Sequence, residues 1–112
     1  MRRPIPKKIR DEVKLRFCGR CGYCGHKPNR LVIDHIVPVE AGGGDDVSNL
    51  MPACSSCNNY KNVFSVEQFR REVAESIRKA RSYSVNFRFA ERFGLVQVCE
   101  RPIKFYFEEA KP

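Results

Sequence analysis

The chain has 112 residues, with 21 Lys and Arg against 13 Asp and Glu, and a formal charge of +8. That length suits a single domain spanning 1–112, burying about two thirds of the surface its unfolded form exposes. No stretch reaches the roughly 18–20 apolar residues of a membrane span. The basic start, Met1 through Lys8, has no apolar run behind it, so neither a membrane partner nor secretion is expected and a cytoplasmic location is the default.

The charge is unevenly placed: residues 1–20 carry a net +6, residues 21–62 a net −1 and residues 63–112 a net +3. Two basic flanks around a near-neutral centre suit a polyanion held on both sides of a cation site. The candidates for that grip are Arg2, Arg3, Lys7, Lys8 and Arg10 on one side, and Arg70, Arg71, Arg78, Lys79 and Arg81 on the other.

In chain order, a first helix is expected from Pro6 to Phe17, because Ile9, Val13 and Phe17 recur at helical spacing and proline suits a helix start. Cys18 to Asn29 is a turn rich in Gly and Cys. Leu31-Val32-Ile33 is a short apolar strand. Residues 41–49 form a flexible glycine loop, and Leu50-Met51 opens a return strand that Pro52 keeps short. A brief helix is expected to begin near Asn58. A longer one begins at Ser65, where Ser65 and Gln68 form a capping box. Val66, Phe69, Val73, Ile77 and Ala80 mark its single core-facing stripe, with Glu67–Arg71 and Glu75–Lys79 as ion pairs on the wet side. Residues 84–93 suit a helix ended by Gly94, which is preferred over a strand alternating at Val85, Phe87 and Phe89. Leu95–Cys99 and Ile103–Phe107 are expected to pair as a β-hairpin around Glu100-Arg101-Pro102.

Six cysteines occur, and the pairs Cys21–Cys24 and Cys54–Cys57 are two CxxC knuckles. A two-residue spacer lets a tight turn aim both thiolates at one ion, and two such pairs complete the closed tetrahedral shell of a structural zinc. Binding there becomes folding free energy and closes a long loop. Cys18 and Cys21 form a competing CxxC pair, but Gly25 directly after Cys24 favours Cys21 and Cys24. Cys18 and Cys99 are then expected as small buried side chains, and His26 as unneeded in the shell.

Between the knuckles stands Ile33-Asp34-His35-Ile36-Val37-Pro38, with Asn49 fourteen residues after His35, Asn58 nine after Asn49, and Lys61 three further on. Together with Gly42-Gly43, Asn49-Leu50-Met51-Pro52 and the two knuckles, this pattern resembles the HNH nuclease family over roughly 21–61. Asn58 occupies the last letter, a recognised variant of it. The resemblance implies an α+β fold: a small ββα-metal (His-Me finger) core with structural zinc, preceded by an N-terminal helix and followed over 64–110 by helices and a hairpin. It implies a metal-dependent endonuclease that hydrolyses DNA phosphodiester bonds by a one-metal mechanism. His35 would be the general base, for which an imidazole near pKa ~6.5 is suited. Asp34 and Asn58 would hold a catalytic Mg²⁺ or Mn²⁺ through oxygen. Asn49 would tie the loop around His35, and Lys61 would contact a phosphate or stand as a solvated helix lysine. The implied partner is nucleic acid, with double-stranded DNA first, and restriction or phage packaging are pathways in which such a core serves. The alternative is a non-catalytic zinc-stabilised nucleic-acid-binding module or packaging accessory. Zinc folding alone explains the cysteines but leaves Asp34, His35 and Asn58 without a purpose.

Overall fold

The computed structural model describes residues 4–110, so Arg2 and Arg3 lie outside the described residues. Pro6 opens helix α1 (Lys7–Arg16) as its cap, and the expected stripe turns Val13 and Phe17 into the interior with Ile9 half-buried. The helix stops where Cys18 and Gly19 both take positive φ, with the Gly19 N–H returning to the Lys14 carbonyl. The next turn is the first knuckle. Its Gly22 lies so close to the hairpin that a Cβ there would fall 2.1 Å from Met51 Sδ, and its N–H donates to the Pro52 carbonyl at 2.7 Å.

Strands β1 (Val32–His35) and β2 (Leu50–Ala53) pair antiparallel, with Val32 opposite Ala53, Ile33 opposite Pro52, Asp34 opposite Met51 and His35 opposite Leu50. β2 is short, as expected, at four residues, and it runs through Pro52 to end at Ala53. In a two-stranded sheet each strand is an edge, so a residue without an N–H is tolerated on the outer side. The connection between the strands carries two 3-10 turns, Val39–Ala41 and Val47–Asn49.

Helix α2 (Ser55–Lys61) begins at Ser55, three residues before the expected start, because Cys54 caps it: its Sγ accepts the Cys57 N–H at 3.3 Å. Asn58 therefore sits inside the helix rather than at its head. Helix α3 (Val66–Ala74) opens on the anticipated capping box, with Gln68 N–H to Ser65 Oγ at 3.1 Å and Ser65 N–H to Gln68 Oε1 at 2.8 Å. The single long helix expected from Ser65 is broken at Glu75, where ψ is −1° and the N–H bonds to the Glu72 carbonyl; α4 (Ser76–Tyr83) then continues. No Gly or Pro marks that break. The ion pairs shift with it: Glu67 pairs with Arg70, Glu72 with Lys79 and Glu75 with Arg78. Ser84 caps α5 (Val85–Arg92) through Phe87 N–H, and Gly94 closes it at φ +73°.

The expected hairpin over 95–107 is absent. The backbone from 95 to 105 is irregular and leads into α6 (Tyr106–Ala110), and β1 with β2 forms the sole sheet among the described residues. The alternating Ile103, Phe105 and Phe107 serve a different end. Phe105 stacks on Phe69, and both meet the Tyr23 ring edge-on at centroid distances of 5.2–5.5 Å. The N–H groups of Tyr106 and Phe107 donate to the carbonyls of Tyr23 and Gly22. The C-terminal segment thus closes over the first knuckle, and the core of Phe17, Tyr23, Leu31, Met51, Ala53, Phe69 and Phe105 sits between knuckle, hairpin and α3.

Candidate active site and metal centre

The two knuckles meet. The sulfurs of Cys21, Cys24, Cys54 and Cys57 all lie within 4.8 Å of one another, and Cys24 Sγ is 3.9 Å from Cys54 Sγ. A tetrahedral zinc with bonds of about 2.3 Å separates its thiolates by about 3.8 Å, so the donor set and its spacing fit that ion. Backbone N–H groups of His26 and Cys57 point at Cys24 and Cys54 sulfurs, as they do to charged thiolates. The hydrogen bond from Cys57 holds the Cys21 thiol well below its ordinary range, and the same bond raises Cys57. Burial raises Cys24. The His26 ring takes no part in this cluster. Cys18 and Cys99 are exposed, not buried as expected: Cys18 stands in the left-handed turn after α1 and Cys99 in the irregular segment.

Adjacent residues of a strand point to opposite faces, and Asp34 and His35 divide accordingly. Asp34 faces inward at 6 % exposure; its Oδ2 accepts the Tyr23 hydroxyl at 2.6 Å and faces Lys61 Nζ at 3.1 Å. Burial first, and the neighbouring Asp34 charge second, push the Tyr23 phenol far above its ordinary pKa, so it remains a donor. Both contacts fall on one carboxylate oxygen. No buried side-chain nitrogen or oxygen among the described residues lacks a partner, so Asp34 Oδ1 reaches the surface. The Asn58 carboxamide makes no side-chain hydrogen bond among the described residues and reaches the surface likewise. Asn58 is carried by α2, which packs on β1 and β2.

Lys61, expected on the surface against a phosphate, is 0 % exposed: its ammonium donates to the His35 carbonyl at 2.9 Å and pairs with Asp34. It ties the Asp-His pair to the helix that bears Asn58. His35 sits at the end of β1 with a side chain 20 % exposed, and its Nε2 lies 2.7 Å from Asp45 Oδ1. Asp45, within the glycine loop, has no signal in motif spacing. Tyr23, a spacer residue of the first knuckle, had none either.

Asn49 holds the loop. Its Oδ1 accepts the Val37 N–H at 2.8 Å, its Nδ2 donates to the carbonyls of Val37 and Gly44 at 3.1 and 2.9 Å, and its own carbonyl accepts the Ile36 N–H. Gly43 must lack a side chain here, since a Cβ would fall 1.8 Å from the Val37 carbonyl oxygen.

The basic candidates separate into two groups. Arg70 is an internal staple, bonded to Glu67, both oxygens of Glu108 and the Ile103 carbonyl, and stacked over Phe105. Arg78, Lys79 and Arg81 pair with Glu75, Glu72 and Glu91. Lys7 pairs with Asp11 in solvent. Lys8 and Arg71 are exposed.

A short antiparallel sheet and a helix beside a four-cysteine cluster that could hold zinc, with an Asp-His pair at the strand end, make up a small α+β unit. Residues 18–64 match the family model described as HNH endonuclease, and the resemblance read from the residues holds over that segment. The chain is also similar to a protein of Bacillus subtilis (strain 168) named "SPbeta prophage-derived putative HNH endonuclease YoqL". The two are 33 % identical over 69 residues, which cover 53 % of this chain and 30 % of that relative. The match therefore spans less than a third of the relative's length.

Proposed function

We propose that the chain is a metal-dependent endonuclease that hydrolyses phosphodiester bonds of double-stranded DNA. The observation that carries this reading is the Lys61 tie, which locks Asp34 and the His35 backbone to the helix presenting Asn58. A structural module has no need of a buried carboxylate tied to the helix that carries Asn58, or of an imidazole held by a loop acid. In the tautomer that donates Nε2–H to Asp45, the imidazole is oriented by the loop and its other ring nitrogen is the basic one, the kind of group that would take the proton of an attacking water. Asp34 Oδ1 and the Asn58 carboxamide oxygen are hard oxygen donors, the kind a Mg²⁺ or Mn²⁺ that keeps several waters requires. A divalent cation held by them would offset the charge developing on the phosphoryl and leaving oxygens. Asn49 and Gly43 fix the loop from which Asp45 orients the imidazole, and the zinc cluster anchors α2 at its first turn.

The test is cleavage of supercoiled plasmid by zinc-loaded protein with Mg²⁺ or Mn²⁺, beside His35→Ala. Nicking that depends on the added cation and falls by roughly 10²–10⁴ in the variant is the expected result. No cleavage with either cation, while parent and variant bind DNA equally, would move the chain to the binding-module reading.

A further inference from the structure

Arg70, Arg78, Lys79 and Arg81 are paired to acids of this same chain and Lys61 is buried, which leaves Arg71, Arg88 and Arg92 as the cations of the C-terminal helices without an ion pair among the described residues. A separate set of cations lines a groove between α1 and the start of β1. Lys7, Arg10 and Lys14 line one wall, and Arg30, Val32 and Ile33 line the other. Positions 7, 10 and 14 fall on one stripe of α1, two turns long, or about 10 Å. The single acid there, Asp11, is engaged by Lys7. Arg10, Lys14 and Arg30 have no ion-pair partner among the described residues. The opposite wall is formed by β1 and the residues just before it, and among the described residues β1 pairs on one side alone. Ile33 and His35, two residues apart, alternate to the same face of the hairpin. The groove therefore ends about 6.6 Å along the strand from the His35 backbone, a distance of about two base steps at about 3.4 Å each.

We propose that this groove binds the phosphates of one nucleic-acid strand beside the scissile bond and leads that strand to His35. The placement relative to the cut rests on the nuclease reading above; the binding itself does not. The partner is set by charge complementarity: three cations without ion pairs among the described residues, two on one wall of the groove and one on the other, match a repeating phosphodiester and read no sequence.

The experiment measures binding in a zinc-loaded His35→Ala background, so that no substrate is consumed. The probes are a short duplex DNA and a single strand of equal length, titrated between about 50 and 200 mM salt. Arg10→Gln/Lys14→Gln/Arg30→Gln is compared with Lys27→Gln/Arg92→Gln/Lys104→Gln, which removes equal charge outside the groove. The groove triple is expected to lower the salt slope by about 2.7 on the duplex or about 2 on the single strand. Arg30→Gln alone should lower it by about 0.9 on the duplex, which covers the case of a poorly folded triple. An unchanged slope in the groove variants, an equal loss in the control triple, or no binding by the His35→Ala chain would overturn the proposal. Failure of the parent chain to cut plasmid sinks the nuclease reading instead and leaves these binding readouts standing.

Discussion

Lys61→Met tests the description of the interior most directly. Lys61 is 0 % exposed, pairs with Asp34 at 3.1 Å and donates to the His35 carbonyl at 2.9 Å. Methionine keeps most of the stem volume and removes the ammonium. It leaves Asp34 with the Tyr23 hydroxyl as its sole partner among the described residues, and the His35 carbonyl without its donor. Breaking one side of a buried pair costs about 3–5 kcal/mol, whereas changing a solvated lysine stays within about 0.5 kcal/mol. At about 4 °C per kcal/mol for a chain of this size, Tm should fall by about 12–20 °C. Thermal unfolding followed by circular dichroism with zinc present measures it. Lys61→Met/Asp34→Asn removes the stranded charge as well and should recover at least half of the loss, a coupling within the roughly 0.5–3 kcal/mol seen for contacting pairs. A fall in Tm below about 2 °C for Lys61→Met would match a surface lysine and refute the buried tie. An additive double variant would refute its pairing with Asp34.

Cys57→Ser should lose the bound zinc and most of the folded signal, while Cys18→Ser and Cys99→Ser retain one zinc per chain by elemental analysis. Gly43→Ala should destabilise the loop by about 1–3 kcal/mol and abolish plasmid nicking. Gly44→Ala, whose added Cβ meets nothing within 4 Å, should leave both unchanged. Arg70→Met should lower stability by about 1–3 kcal/mol at neutral pH without altering the salt slope for DNA. That loss is pH-dependent with a definite sign. The Arg70 guanidinium holds the Glu108 carboxyl below its ordinary value of 4.5, so the pair's contribution is complete above about pH 4.5 and fades as pH falls through the lowered folded pKa. The Tm gap between parent and Arg70→Met should therefore narrow below that pH; a gap that widens on acidification would count against the pairing.

Sequence alone determined the parts whose signals are local and chemical. Two CxxC pairs point to a thiolate shell because a spacer of two fixes the turn. Ser65 with Gln68 forms its box within four residues, and Ile9, Val13 and Phe17 form a stripe through helical periodicity. Asn49 is legible through the family resemblance, and its partners, Val37 and Gly44, lie in the segment that it was expected to tie. Tertiary structure decided what depends on partners far away. Lys61 reads as a surface lysine until the His35 carbonyl, 26 residues back, is seen to hold its ammonium. Arg70 reads as a phosphate grip until Glu108, 38 residues on, takes both its nitrogens. The alternation at 103–107 resembles a strand, yet its N–H groups find the carbonyls of Gly22 and Tyr23 rather than a hairpin partner. The break at Glu75 has no Gly or Pro to announce it. Periodicity and spacing record which residues leave water together. Which buried charge meets which acid is set by packing between segments remote in sequence, and a lone residue type carries no trace of it.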